Sequence, residues 1–307
     1  MIYFKEPSAH PRTVGRDQHL SKYILSLLLF GSNGIFASMI DLSSYEIVLF
    51  RTLLGSLLLV SLFLITGNKF SFLNKPKSLL MLVFSGMAMG ASWLFLYEAY
   101  RQIGVSIATL CNYCGPVIVM VLAPILFKEK LTWIKTTGFI TVLVGICLIN
   151  SQALKEGVNY FGIICGLMSA VMYSLMIIFN KKCVEIKGLE NSILQLSVSC
   201  LTVAVFVVFK HGLFIHVPTG SIFPIAILGL LNTGIGCYMY FSSIGSLPVQ
   251  TVAICGYLEP LSAVFFSVLI LKETMQPLQL IGAALIVGGA ICSEGTLIKA
   301  LSGRKLI

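Results

Sequence analysis

Three charged side chains stand inside otherwise apolar stretches of this sequence, and they are the residues best placed to do chemistry: Arg51, Glu98 and Glu259. A charge held at membrane depth costs about 2.5 kcal/mol or more and is kept for pairing or for function. Glu259 lies deepest, one residue before Pro260. A carboxylate there is suited to carrying a proton or holding a substrate amine. Arg51, within Phe50-Arg51-Thr52, carries a planar fork of donors that fits either a substrate carboxylate or helix-end carbonyls. Glu98 has Arg101 three residues on, so an i,i+3 ion pair competes with a role in coupling or substrate charge.

Polar and aromatic residues around these charges complete a candidate substrate cavity. Asn33, Asn112 and Asn232 place amides well inside apolar stretches, where each needs a partner. Trp93, Tyr97 and Tyr100 share a helix face at i, i+4, i+7 spacing, and Tyr113, Tyr240 and Tyr257 add further rings. Aromatic stripes also pack and anchor at interfaces, so both readings stay open for them. Pro116 and Pro260 remove the donors that would serve the carbonyls of Asn112 and Gly256. Kinks are expected at both, and the freed backbone is tolerated only against protein or a solvated pathway.

Other chemistries find little support. The chain has no GxxxxGK[ST], HExxH or GxSxG pattern, and no soluble domain in which ATP could be hydrolysed. Cys111-Asn112-Tyr113-Cys114 spells CxxC, yet all four histidines lie far from it in sequence, and apolar surroundings favour packing over a redox or metal site. No metal and no cofactor is expected, and the chain does not read as an enzyme. A channel lacks its ring of charges or repeated filter.

The elements that must position these residues follow from composition. Hydrophobic residues make up 57% of the chain and charged ones 11%, against about 25% charged in a soluble domain. About 20 apolar residues cross a hydrocarbon core as a helix. Ten such blocks are readable, at 22–40, 45–66, 78–100, 104–127, 131–150, 159–180, 191–209, 221–245, 248–271 and 277–293. The expected fold class is all-α and integral to the membrane, because only helices pair every backbone group within so long an apolar segment.

Charge sets the orientation. With the N-terminal tail (1–21) placed in the cytoplasm, sixteen Lys and Arg fall on that side and four on the other, with Arg51 in a span accounting for the last of the 21. Both termini, including the tail 294–307, are thus expected in the cytoplasm of a multi-pass protein of a plasma membrane, bacterial in character. Topology explains the net charge of +9 without nucleic acid.

The chain also repeats itself. A shift of 144 residues aligns Val105–Cys147 with Val249–Ile291 and matches Cys111 with Cys255, Tyr113 with Tyr257 and Pro116 with Pro260. It also matches Lys128-Glu129 with Lys272-Glu273, Gly138 with Gly282, and Gly145 with Gly289. Two units of five helices are expected, 22–150 and 157–293. An odd number of helices per unit inverts the second relative to the first, an architecture that places a substrate site where the halves meet. The glycines, seven residues apart, read as close helix packing.

The residues Phe30-Gly31-Ser32-Asn33, Arg51, Pro116, Lys128-Glu129 with Gly138 and Gly145, Glu259-Pro260, and Lys272-Glu273 with Gly282 and Gly289 carry a family resemblance. The chain resembles the EamA-type ten-helix members of the drug/metabolite transporter superfamily over about 22–293. That resemblance implies gradient-driven secondary transport of a small organic solute, with export of amino acids or related metabolites foremost. Carriers for amines, drugs or sugar-linked compounds are the alternative, and a membrane-embedded enzyme or a channel belongs to a different class. The expected partners are the substrate, membrane lipid, and protons or an exchanged solute, for a monomer or homodimer.

Overall fold

The computed structural model describes residues 11–67, 70–130, 132–149, 159–212, 215–271 and 277–293, so the end of each tail and the Lys272-Glu273 turn lie outside the described residues. Helix is the only regular secondary structure among the described residues. The helices are α1 (Pro11–Gly31), α2 (Asn33–Ser38), α3 (Ser44–Ile65), α4 (Pro76–Asn112), α5 (Cys114–Phe127), α6 (Trp133–Ile149) and α7 (Tyr160–Lys182). After them come α8 (Gly188–His211), α9 (Ile222–Ala226), a π-helical segment (Ile227–Ile235), α10 (Gly236–Ile244), α11 (Val249–Cys255), α12 (Leu258–Leu271) and α13 (Pro277–Ser293).

Among the described residues, six helical stretches are long and apolar enough to cross a membrane alone: Asp17–Ser38, Ser44–Ile65, Pro76–Ile103, Tyr160–Lys182, Gly188–Lys210 and Thr219–Ile244. The fifth and tenth crossings are the 17-residue helices α6 and α13. The fourth and ninth differ from expectation, since neither is one helix. Helix α4 runs past the third crossing to open the fourth and stops at Asn112; α5 restarts at Cys114. In the ninth crossing, α11 stops at Cys255 and α12 restarts at Leu258.

The physical reason is the one that marked Pro116 and Pro260, carried a step further. Each ladder stops at or just before the residue whose carbonyl the proline cannot serve, and each proline then falls in the first turn of a new helix, where its missing N–H costs nothing. The expected kinks are full breaks. Bonds at the breaks are made locally and across the bundle: the Gly256 carbonyl accepts from the Glu259 N–H at 3.2 Å, and the Tyr113 carbonyl, beside the other break, from the Tyr257 hydroxyl at 2.8 Å.

The 144-residue repeat is visible in the helix boundaries, since α5 and α12, and α6 and α13, begin and end at equivalent positions. The two repeats interlock. The first helix of each packs on the third and fourth crossings of the other, α1 on α10 and α12, and α7 on α4 and α5. Helices α6 and α13 cross in opposite directions, with Gly145 against Gly282 and Gly289 against Gly138. A Cβ added at Gly145 would come within 2.6 Å of the Gly282 carbonyl oxygen, and one at Gly289 within 2.6 Å of that of Gly138. This reciprocal exchange of equivalent positions is the signature of inverted repeats. Large apolar side chains such as Leu64, Phe209 and Trp133 remain exposed on the periphery, as lipid-facing surfaces require.

Candidate functional site

Between the interlocked repeats lies a cavity of about 1020 Å³ that begins beside the helix break at Asn112 and Tyr113 and reaches the helix ends at Ser43, Ser44 and the exposed Arg101. That end is its mouth. The opposite end is sealed by a hydrophobic cluster that includes Tyr23, Leu27, Leu247, Val252 and Ile254, none more than 1% exposed. The residues expected from sequence that line the cavity are Arg51, Glu259, Pro260, Asn33, Trp93, Tyr97, Tyr100, Asn112, Tyr113 and Tyr240. Glu98, Asn232, Tyr257 and Pro116 are not among the lining residues.

Arg51 projects from α3, where a capping box starts the helix eight residues earlier: Ser43 Oγ accepts from the Glu46 N–H and Glu46 Oε2 from the Ser43 N–H. Its Nε donates to Thr233 Oγ1 at 2.9 Å, and its guanidinium carbon sits 4.8 Å from the centre of the Trp93 ring. Thr233 belongs to the π-helical segment, and its hydroxyl donates in turn to the carbonyl of Leu228, five residues back, at 2.8 Å. The π register thereby turns an oxygen lone pair toward Arg51, a use of π geometry that is common at functional sites. One donor of the guanidinium is thus anchored, and the side chain is held at the cavity wall.

Glu259 faces the same cavity from the first turn of α12. Among the described residues its carboxylate has no hydrogen-bond or ion-pair partner, and it forms no ion pair with Arg51. An acidic and a basic side chain therefore border one space without a contact ion pair between them. Asn232, fully buried in the π segment, supports the wall from behind: its Nδ2 donates to Asn33 Oδ1 at 3.0 Å, Ser32 Oγ at 2.8 Å and the Leu29 carbonyl at 3.3 Å, tying down the junction between α1 and α2. Asn112 Oδ1 accepts from Ser169 Oγ at 2.8 Å, bracing α4 against α7 beside the helix break.

Glu98 is spent at the rim. Its carboxylate accepts from the Tyr45 hydroxyl, from Gln102 at 2.9 Å and from Arg101 at 2.5 Å, and Lys210 Nζ lies 3.6 Å away. Lys210 also sits over the Tyr45 ring at 4.1 Å, so the cluster ties α3, α4 and α8 together near the mouth. Tyr257 likewise works on backbone, through its bond to Tyr113.

Sequence reasoning missed Phe30, Tyr45, Ser92, Tyr173, Met176 and Phe241, all of which line the cavity. Tyr173, which reaches Tyr240 through their hydroxyls at 3.3 Å, had a signal, because a lone tyrosine at mid-span is costly unless paired. Tyr45 sits at a helix start where a tyrosine is unremarkable, and the others are ordinary apolar or small residues until the helices assemble.

The EamA-like transporter family model matches twice, over residues 21–151 and 160–294. The chain belongs to the EamA-like transporter family. As a member, it is a multi-pass membrane transporter. It is similar to an uncharacterized transporter, YxxF, of Bacillus subtilis strain 168, at 24% identity over 87% of this chain and 86% of that one. A second relative, an uncharacterized transporter of Helicobacter pylori strain J99, is 26% identical over 92% of this chain and 96% of its own. A solved structure titled only "Crystal structure of protein" superposes with a TM-score of 0.80 at 17% identity, covering 92% of this chain and 99% of that one, and shows the shared fold. In this EamA-like transporter, no group of three His, Cys, Asp or Glu among the described residues is placed to hold a metal ion.

Proposed function

We propose that the protein exports a zwitterionic organic solute, an amino acid or closely related metabolite, by gradient-driven alternating access. The observation that carries this reading is the pair of opposite charges, Arg51 and Glu259, that border one cavity without pairing to each other. A solute with its own carboxylate and amine would complete both, the carboxylate on the Arg51 fork and the amine on Glu259. Aromatic walls from Trp93, Tyr97, Tyr113, Tyr173 and Tyr240 suit an apolar side chain between them. Glu259 also serves the coupling proton, which a solute amine displaces.

In this reading the basic loops and both termini face the cytoplasm of a bacterial plasma membrane, and the mouth at Ser43 and Arg101 faces out. The five-helix units 22–150 and 157–293 exchange roles as the cavity turns inward, and the carrier works as a monomer or homodimer.

The test is uptake into proteoliposomes under an imposed proton gradient, with amino acids, amines, sugars and nucleosides first sorted by their thermal stabilisation of the purified protein. Glu259→Gln is expected to abolish the dependence on the proton gradient. Undiminished, gradient-sensitive uptake by the variant overturns the role of Glu259, and stabilisation by monoamines but not by zwitterions moves the reading to an amine carrier.

A further inference from the structure

We propose that Glu129 is the clasp that holds the sealed end of the cavity shut, with Lys181 fixing the turn it grips, and that release of Glu129 from helix α11 opens that end. The proposal rests on the alternating-access reading above. The turn Gly245–Pro248 between α10 and α11 sits at the sealed end, and the helix it introduces is buried along its whole length. Such a turn leaves backbone groups orphaned on both sides. Carbonyls at the end of α10 lose their helical donors, and the first N–H groups of α11 have no acceptor, because Pro248 at its N-cap offers no side-chain cap.

Two charged side chains from elsewhere in the bundle meet these needs. Glu129 Oε1 accepts from the Val249 N–H at 2.6 Å and Oε2 from the Gln250 N–H at 3.1 Å. Lys181 Nζ, at the end of α7, donates to the carbonyls of Ile244 at 3.0 Å and Gly245 at 3.4 Å, and to that of Leu247. The two bonds differ in what they join. Lys181 ties the turn to a helix of its own repeat, whereas Glu129 follows α5 and reaches across from the other repeat. Glu129 is delivered by a costly backbone: Lys128, before it, adopts φ 55°, the left-handed region that a non-glycine residue rarely enters.

The sealed end is also built to be left. Gln250 is wholly buried, yet neither its Nε2 nor its Oε1 has a hydrogen-bond partner. Such an amide is expensive in the closed arrangement and gains water as soon as the end opens. Closure is therefore held by the carboxylate against a standing polar penalty beside it, which makes the element bistable. The equivalent stretch of the first repeat, Arg101–Gly104, continues as helix in α4, so the broken turn and its clasp mark the closed side of this state.

Two native thiols report the seal and the cavity separately. Cys255, 0% exposed, lies at the end of α11, and Cys237 lines the cavity. Reaction with N-ethylmaleimide in membrane vesicles, resolved by peptide mass spectrometry, follows each thiol separately. Glu129→Gln keeps the shape but sets an N–H donor against one of the two amide donors, and it is expected to raise the labelling rate of Cys255 about tenfold, the effect of losing one charge-assisted bond, while the rate of Cys237 does not rise. Glu129→Asp, charged but shorter, is expected to fall between parent and Gln. An unchanged Cys255 rate overturns the clasp, and so does a parallel rise at both thiols, which would report general loosening. Neither rate depends on which solute is carried, so failure of the zwitterion reading in uptake assays leaves this test standing.

Discussion

The hydroxyl of Tyr257 donates to the backbone carbonyl of Tyr113 at 2.8 Å, and the two residues are each other's counterparts under the 144-residue repeat. Each stands at the break in its broken helix, and their rings lie 6.2 Å apart in an edge-on arrangement. The breaks of the fourth and ninth crossings thus lean on each other beside the cavity. Tyr257→Phe removes one bond to the Tyr113 carbonyl at the break, worth about 0.6–1 kcal/mol in a membrane bundle. The expected result is a melting temperature lower by about 2 °C in detergent, with a larger loss of transport than of stability because the break borders Asn112 and Tyr113.

Neighbouring glycines in α13 should behave oppositely. A Cβ at Gly289 meets the Gly138 carbonyl oxygen at 2.6 Å, and backbone cannot move aside as a side chain can. Gly289→Ala is expected to destabilise by about 1–3 kcal/mol, as is Gly145→Ala at the reciprocal contact. Nothing lies within 4 Å of a Cβ at Gly288, so Gly288→Ala should be neutral or slightly stabilising. Thermal unfolding of the three purified variants checks the contrast.

Arg51 separates charge from geometry. Arg51→Lys keeps the charge but loses the bond from Nε to Thr233 and the planar fork, so uptake affinity is expected to fall about tenfold or more. Thr233→Val keeps Arg51 but removes its anchor, and a smaller loss, about threefold to tenfold, is expected from the freed rotamer and the lost bond. Concentration-dependent uptake gives both values; equal, parent-like affinity in both variants would make Arg51 structural.

At the rim, Glu98→Gln removes the charge that Arg101 and Lys210 share. The expected outcome is a modest loss of stability, about 1 kcal/mol, with the apparent affinity for substrate unchanged. Gln keeps most of the bonding capacity to Tyr45 and Gln102, while the exposed Arg101 loses only a rim ion pair. A selective loss of affinity would return Glu98 to the substrate path.

Much of this was legible in the sequence. Composition and block length determined an all-helical membrane protein, because within apolar segments of about 20 residues only a helix pairs every backbone group in hydrocarbon. The 144-residue shift determined the internal repeat, since matched prolines and glycines at fixed spacing impose matched breaks and crossings. Arg51 and Glu259 stood out because a buried charge is too costly to be incidental.

Tertiary structure decided the rest. The i,i+3 pair of Glu98 with Arg101 was readable from spacing, but the bonds of Glu98 to Tyr45 and Lys210, and the place of Glu259 on the cavity wall without an ion pair, are set by helices far apart in the chain. Asn232 and Tyr257 carry the same polar groups as Asn33 and Tyr113, yet their positions in the bundle turn them onto backbone and neighbouring amides. The roles of Thr233 and Glu129 depend on a π register and on a turn from the other repeat, neither of which any local pattern encodes. Residue chemistry is local, whereas pairing depends on which helix arrives opposite, and that is settled only when the two inverted repeats interlock.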